Sequence, residues 1–204
     1  MLDVAIPSSI AEAISAAGRF ASERGWVPAT SGNFSARIDR TYAAVTRSGI
    51  DKGNIRREDL IAVPIAGPLP PGVSAETPLH VARYRADAAA GAVVHVHTVA
   101  ATVLSRADAE RGHVELEGFE MHKSLHGITT HESVVRLPVF ANDQDTVRLA
   151  EHIEAQLGAG PVPGYLLAGH GLYAWGATMV DARRHLEGLE FLLQCALEDR
   201  RLRR

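Results

Sequence analysis

The stretch GAVVHVHTVAAT, residues 91–102, is the most informative part of the chain for its fold. Residues 92–97 are rich in valine and predict a buried strand, and residues 99–106 return to a helical pattern. Side chains two apart on a strand point to the same face, so His95 and His97 share one face. Adjacent imidazoles repel when protonated, whereas a metal ion binds them in the neutral form. The pair therefore predicts a metal site on this strand.

Helices and strands alternate on both sides of this strand. An amphipathic helix is predicted over residues 8–24, with Ser8 or Ser9 as its cap. Further strands are predicted over residues 34–38, 42–46, 60–64, 134–140, 165–168 and 172–175, and further helices over residues 77–87, 117–125, 146–157 and 179–197. This order predicts a layered α/β fold with a mixed sheet, in a single domain spanning residues 1–204.

The composition is that of a globular chain without a broad charged field. Hydrophobic residues make up 46% of the 204 residues, and 21 basic against 24 acidic residues give a net charge of −3. This balance favours neither a nucleic-acid partner nor a membrane surface. The one cysteine, Cys195, cannot form an internal disulfide. With no signal-peptide pattern and no apolar run near the ~18 residues that span a bilayer, we expect a cytoplasmic protein.

A third metal ligand is predicted at His170, between Gly169 and Gly171 in a tight turn joining two predicted strands. Glycines allow the backbone to bend sharply and to approach an ion closely. The alternative is a polar turn residue on the surface, but the apolar flanks of the turn argue against a peripheral position. Three histidines leave the fourth position of a tetrahedral ion open, which is typical of catalytic zinc. Such an ion can polarise a carbonyl group as a Lewis acid.

Two carboxylates are candidates for moving a proton near this ion. Glu76 stands at the start of a predicted helix, where an acidic side chain can simply interact with the helix dipole. Glu120 lies three residues before Lys123, where an exposed ion pair is the alternative. The sequence barely separates these interpretations.

Two polar loops suit a phosphate group. They are TSGN at residues 30–33 and TRSG at residues 46–49, with Lys52 soon after. Such loops expose backbone N–H groups and hydroxyls, although ordinary turns use the same residues and are the favoured interpretation of the loops alone. No GxGxxG, P-loop or HExxH motif is present. His80 and several other histidines have no partner that the sequence identifies.

Taken together, five stretches resemble the class II aldolase superfamily, over residues 10–198. They are SGNFSAR (31–37), TRSGIDKGNI (46–55), SAETPLH (74–80), GAVVHVHTVAAT (91–102) and GHG (169–171). The resemblance implies a three-layer α/β/α fold around a largely antiparallel mixed sheet, usually assembled as a homotetramer. It also implies one zinc ion per subunit, held by His95, His97 and His170.

Within the superfamily the chain is most similar to the methylthioribulose-1-phosphate dehydratases of methionine salvage, through SAETPLH, FEMHK (119–123) and GHGLYAWG (169–176). In the aldolases the residue matching Glu76 is a metal ligand and the base, but animal dehydratases carry cysteine there, which leaves its part in dehydration open. The dehydratases use the residue matching Glu120 as acid/base. Residues matching the phosphate and substrate pocket are Gly32, Asn33, Ser48, Gly49, Ser74 and Ala75, with Lys123 as a nearby basic residue.

Two other functions fit the same pattern less well. An aldolase or epimerase for another sugar phosphate needs the same zinc and phosphate site. Aldolases of this type extend a C-terminal tail with a catalytic tyrosine, and EDRRLRR at residues 198–204 contains none, which leads us to expect the dehydratase. A non-catalytic scaffold domain is expected to lose the histidines, whereas all three are present.

Overall fold

The computed structural model describes residues 4–157 and 162–203. The helices are α1 (Ser8–Glu23), α2 (Thr77–Ala86), α3 (Val99–Ala107), α4 (Thr146–Leu157) and α5 (Met179–Leu202). The strands are β1 (Asn33–Arg37), β2 (Tyr42–Thr46), β3 (Leu60–Pro64), β4 (Ala92–Val96), β5 (His113–Leu116), β6 (Val135–Phe140), β7 (Gly164–Leu167) and β8 (Gly171–Gly176). The predicted domain, residues 1–204, includes positions outside the described ranges and stays a prediction.

The strands form one sheet in the order β3-β2-β1-β4-β8-β7-β6-β5. Every neighbouring pair is antiparallel except β6 and β7, which are parallel. The predicted mixed, largely antiparallel sheet is therefore confirmed. The valine-rich strand β4 lies near its centre, between β1 and β8.

Helices cover both faces of this sheet. Val94 and Val96 of β4 belong to an apolar cluster with α1, α3 and α5, whereas Val93 belongs to a second cluster with α2 and α4. Alternate side chains of a strand point to opposite faces, so one buried strand supplies both clusters. This arrangement confirms the three-layer α/β/α architecture. No helix among the described residues is both long and apolar enough to cross a membrane.

Three local predictions need correction, and one strand is missed. Pro7 is the N-cap of α1 and no side chain caps this helix, because both predicted serines already lie inside it. The helix predicted over residues 117–125 is a short 3-10 helix, Glu120–Ser124. Strand β5, HVEL at residues 113–116, is not predicted, because it is short and half polar and carries no valine-rich or apolar run. Helix α5 extends beyond residue 197 through a polar last turn stabilised by ion pairs.

Candidate metal centre

The topology gathers the predicted histidines at one end of the sheet. His95 in β4 lies opposite Asn33, the first residue of β1, and opposite Tyr173 in β8. Since β4 and β8 are antiparallel, the end of one strand lies beside the start of the other. His97 follows β4 directly and His170 precedes β8 directly, so these two side chains meet at the same end.

Glu76 completes a cluster with the three histidines. Each of the four side chains offers one ligand atom, and these atoms all lie within 4.8 Å of one another. The Nε2 atom of His97 is 2.8 Å from that of His95 and 3.0 Å from that of His170. The carboxylate oxygens of Glu76 are 3.0 Å from His170 Nε2 and 3.5 Å from His95 Nε2. Three imidazole nitrogens and a carboxylate oxygen are donors that zinc accepts.

The hydrogen bonds of His95 prepare it to bind a metal. Its Nδ1 lies 3.0 Å from the carbonyl oxygen of Leu172, which can only accept a hydrogen bond. Nδ1 therefore carries the hydrogen, and in the neutral ring Nε2 keeps a free lone pair directed into the cluster. Metal-binding histidines commonly have their other nitrogen fixed in this way. The residues present thus fit a divalent metal ion.

The local electrostatics favour the forms of these groups that bind metals. Burial, aided by the neighbouring His170, lowers the pKa of His97 to about 4, and burial lowers the pKa of His95 well below its ordinary value. Burial alone raises the pKa of Glu76, but His95 and His170 outweigh it and bring that pKa well below the usual range. At neutral pH His95 and His97 are thus neutral and Glu76 is ionised, as metal binding requires.

Tight packing holds the imidazoles in place. The ring of Tyr173 stacks on His95, with centroids 3.9 Å apart and planes 15° apart. A Cβ atom on Gly171 would lie 2.2 Å from the carbonyl oxygen of Val96 and 3.1 Å from His95 Cε1. The turn after His170 therefore approaches β4 in a way that only glycine permits.

A cavity of about 330 Å³ adjoins the cluster. The predicted substrate residues that line it are Gly32, Asn33, Ser48, Gly49, Ser74 and Ala75. Gly32 has a φ of +74°, and a Cβ there would lie 2.6 Å from the backbone oxygen of His95. Lys52 also lines the cavity and is buried, with Nζ donating to the carbonyl oxygens of Thr30 and Ile50 at 2.7 and 2.9 Å. Polar loops and a cation beside the cluster make this a cavity suited to an anionic ligand.

Glu120 and Lys123 lie outside this cavity in the chain described. The Glu120 side chain is 70% exposed and Lys123 Nζ lies 2.6 Å from its Oε1. His131 Nδ1 lies 3.6 Å from its Oε2. Neither Glu120 nor Lys123 is among the residues lining the cavity. Within one chain the observed contact is therefore the exposed i, i+3 ion pair.

The loop between β6 and α4, together with the first residue of α4, contributes contacts that the sequence does not predict. Because β6 and β7 are parallel, their C-terminal ends lie at the same edge, beside the turn that carries His170. The side-chain oxygen of Asn142 lies 3.3 Å from His170 Nδ1, and Thr146 donates to the backbone oxygen of Ala75 at 2.7 Å. His80, for which the sequence identifies no partner, contacts Asn33 and Ser35. A lone asparagine after a strand gives no sequence signal of such a role.

Comparison with known proteins agrees with this architecture. Residues 12–197 match the family model described as Class II Aldolase and Adducin N-terminal domain. The chain is 51% identical to a methylthioribulose-1-phosphate dehydratase from Bradyrhizobium sp. strain BTAi1, over 98% of this chain and 94% of that protein. It is 47% identical to the dehydratase of the same name from Marinobacter nauticus, over 100% of both chains.

A solved structure gives the same result for the fold. The crystal structure of L-fuculose-1-phosphate aldolase from Thermus thermophilus superimposes with a TM-score of 0.80 at 28% identity, covering 96% of this chain and 97% of that one. The family match and the relatives each span most of the chain. The chain therefore belongs to the class II aldolase and adducin N-terminal domain family.

Proposed function

We propose that this chain is a zinc-dependent hydro-lyase that dehydrates 5-methylthioribulose 1-phosphate to 2,3-diketo-5-methylthiopentyl 1-phosphate, a step of methionine salvage. The observation that carries the proposal is the cluster of Glu76 and three histidines beside an anion-suited cavity. It occurs in a chain about half identical, over nearly its whole length, to relatives named for this dehydration. The predicted cytoplasmic location belongs to the same proposal.

The substrate's phosphate would bind among the polar loops that line the cavity. Hydroxyls and backbone groups of the loops at Gly32, Ser48 and Ser74 would offer donors there, and the charge of Lys52 would complement the anion. His95, His97 and His170 would hold the zinc ion with Glu76, at the other side of the cavity. When bound, the zinc ion would supply a Lewis acid for the carbonyl oxygen of the substrate.

The reaction removes a proton from C3 and a hydroxyl group from C4, which leave together as water. The resulting enol at C3 becomes a ketone when a proton returns to C4, so the product is a 2,3-diketone. A carboxylate suits the removal and return of these protons. Glu76 is ionised and lies beside the predicted zinc ligands, whereas Glu120 is exposed. We assign both as catalytic groups, with Glu120 as the favoured acid/base.

The position of Glu120 requires a second subunit for this role. In its own chain Glu120 is outside the cavity, and its neighbour Met121 is an apolar side chain 36% exposed to solvent. Exposed methionine next to a functional group is in keeping with a subunit contact. We propose that Glu120 and Lys123 of one subunit act in the centre of a neighbouring subunit of a homotetramer.

An apolar depression on the other side of the histidines supports a substrate with an apolar end. It shares His97 and His170 with the polar cavity and is also lined by Pro28, Val99 and Val103. The two valines are 73% and 46% exposed. A substrate with phosphate at C1 and a methylthio group at C5 can place its ends on the two sides of the predicted metal. A sugar phosphate with hydroxyl groups throughout gains less from this surface.

Turnover of two substrates tests the proposal. Zinc-loaded protein is mixed with 5-methylthioribulose 1-phosphate or with L-fuculose 1-phosphate, and the diketone phosphate and the aldol-cleavage products are measured. We expect the diketone phosphate only. Cleavage of fuculose 1-phosphate without dehydration would replace the proposal by an aldolase. No reaction with either substrate would contradict the dehydratase as well.

A further inference from the structure

A buried chain of hydrogen bonds leads from helix α2 to the metal centre. The Tyr84 hydroxyl lies 2.7 Å from Ser35 Oγ, and Ser35 Oγ lies 2.7 Å from His80 Nδ1. His80 Nε2 then contacts Asn33 Oδ1, and Asn33 Nδ2 donates to Glu76 Oε2. Of these five residues, all but Glu76 are at most 2% exposed. Solvent therefore does not compete for the bonds that lead to Glu76.

Only one arrangement of hydrogens satisfies this chain. The Glu76 carboxylate accepts hydrogen bonds, so the amide nitrogen of Asn33 must face it and the amide oxygen must face His80. That oxygen also only accepts, so His80 Nε2 carries a hydrogen. Burial lowers the pKa of His80 to about 4 against the opposing effect of Glu76, so the ring is neutral at pH 7. Its Nδ1 therefore accepts from Ser35.

We propose that His80 is a positioning residue of the metal centre, which fixes the Asn33 amide so that this amide orients the Glu76 carboxylate. The inference rests on the proposed zinc site and extends it to a residue outside the ligand set. If the Asn33 amide were rotated, its oxygen would face the carboxylate and the two would repel. His80 and Glu76 lie one turn apart at the start of α2, so the helix itself sets their separation.

His80 also supports the site through an aromatic contact. Its ring meets Tyr173 edge to face, with centroids 5.9 Å apart, and Tyr173 in turn stacks on His95. His80 thus contacts both Asn33, which binds Glu76, and Tyr173, which stacks on His95. Outer groups of this kind typically change metal affinity by about 10–100-fold when removed.

Two variants separate positioning from mere packing. Glutamine can place an amide N–H near the position of Nε2–H, whereas leucine offers no donor. We expect His80→Leu to weaken zinc binding to the metal-free protein by about 10–100-fold, and His80→Gln to retain most of the affinity. The affinity is measured by competition with a chromogenic chelator, so it does not depend on turnover. If His80→Leu is unfolded, Ser35→Ala is measured in its place. Without the Ser35 donor, the hydrogen of the His80 ring can move from Nε2 to Nδ1, and Nε2 then no longer donates to Asn33. A smaller loss of zinc affinity is expected for this variant.

A second measurement asks whether His80 acts through Glu76. In a Glu76→Gln background, the effect of His80→Leu on zinc affinity should become clearly smaller, because the carboxylate being oriented is gone and only the contact through Tyr173 remains. The matched control is His185→Leu. His185 is also a buried histidine, bonded to the backbone oxygen of Trp175 at the far end of β8. We expect it to lower stability without weakening zinc binding to the folded protein.

The outcomes distinguish this inference from the proposed function. Unchanged zinc affinity in His80→Leu, or the same loss with and without Glu76, would overturn the role of His80. If Ser35→Ala is the variant measured, zinc affinity equal to that of the unaltered protein overturns it equally. A chain that binds zinc and depends on His80 but does not dehydrate the substrate would overturn the function alone. An unaltered protein that does not bind zinc would overturn both.

Discussion

Replacing Gly171 by alanine tests the close approach of strands β4 and β8 beside the metal centre. The added Cβ would lie 2.2 Å from the backbone oxygen of Val96, where ordinary contacts begin near 3.4 Å. Relief of this clash requires the two backbones to separate by about 1.2 Å. Gly171 follows His170 directly, and Val96 lies between His95 and His97. All three predicted zinc ligands from the sheet therefore lie next to the clash.

The displacement is large compared with the tolerance of a metal site. Zinc–nitrogen distances in proteins vary by only about 0.2 Å from their usual values, so a shift of about 1.2 Å removes or distorts at least one ligand. We expect zinc affinity to fall by at least about 10–100-fold. Overpacking of this kind should also lower the free energy of unfolding by about 1–3 kcal/mol.

Gly91→Ala is the matched control for this effect. A Cβ on Gly91 would lie 2.0 Å from the backbone oxygen of Ala177, so the same two strands are forced apart at their opposite end. Ala177 is about 20 Å from Gly171 along β8, at about 3.3 Å per residue. Zinc affinity is measured by chelator competition and stability by chemical unfolding. Both variants should lose stability, but only Gly171→Ala should lose affinity. Equal zinc affinity in the two folded variants would refute the reasoning.

Three further predictions concern the sharing of Glu120 between subunits, the apolar depression and the pH dependence of stability. The variants His97→Ala and Glu120→Gln should each be inactive alone. After mixing and reassembly they should recover part of the activity, because a Glu120→Gln subunit keeps all zinc ligands and a neighbouring His97→Ala subunit supplies Glu120. No recovery would contradict the sharing of Glu120 between subunits. Val103→Thr should raise KM for the methylthio substrate without changing zinc content. The control Val180→Thr, at a valine that is more exposed and lies on α5, should not change KM; equal KM values in the two variants would remove the apolar depression from the substrate site. Burial raises the pKa of Glu190 above 4.5, so this carboxyl holds its proton more tightly in the folded than in the unfolded state. The free energy of unfolding of the unaltered protein should therefore fall relative to that of Glu190→Gln as pH rises above 4.5 and through the raised pKa. A difference in unfolding free energy between the two proteins that does not vary with pH would refute this.

The local sequence predicts the parts of the site that lie on regular elements. The HxH spacing places His95 and His97 on one face of a strand, and the glycines around His170 indicate a tight turn, because both depend on neighbouring residues only. The layered α/β class follows from the alternation of helices and strands. Strand order does not follow from local pattern, and it is the order that brings β8 beside β4.

Residues that act through tertiary contacts were not predicted. His80 looks like an ordinary buried helix residue until β1 brings Asn33 and Ser35 against it. Asn142 reaches His170 only because β6 runs parallel to β7. Glu120 illustrates the opposite case, since family resemblance assigns it a role that one chain alone does not explain. Such roles depend on packing between distant segments or between subunits.

Titration of zinc into metal-free protein tests the central claim most directly. The metal is removed with a chelator, zinc is added back in steps, and formation of the diketone phosphate from 5-methylthioribulose 1-phosphate is measured at each step. The four-residue centre predicts that dehydration rises in proportion to bound zinc and stops rising at one ion per chain. Dehydration by the metal-free protein, or none at full zinc loading, would contradict the account.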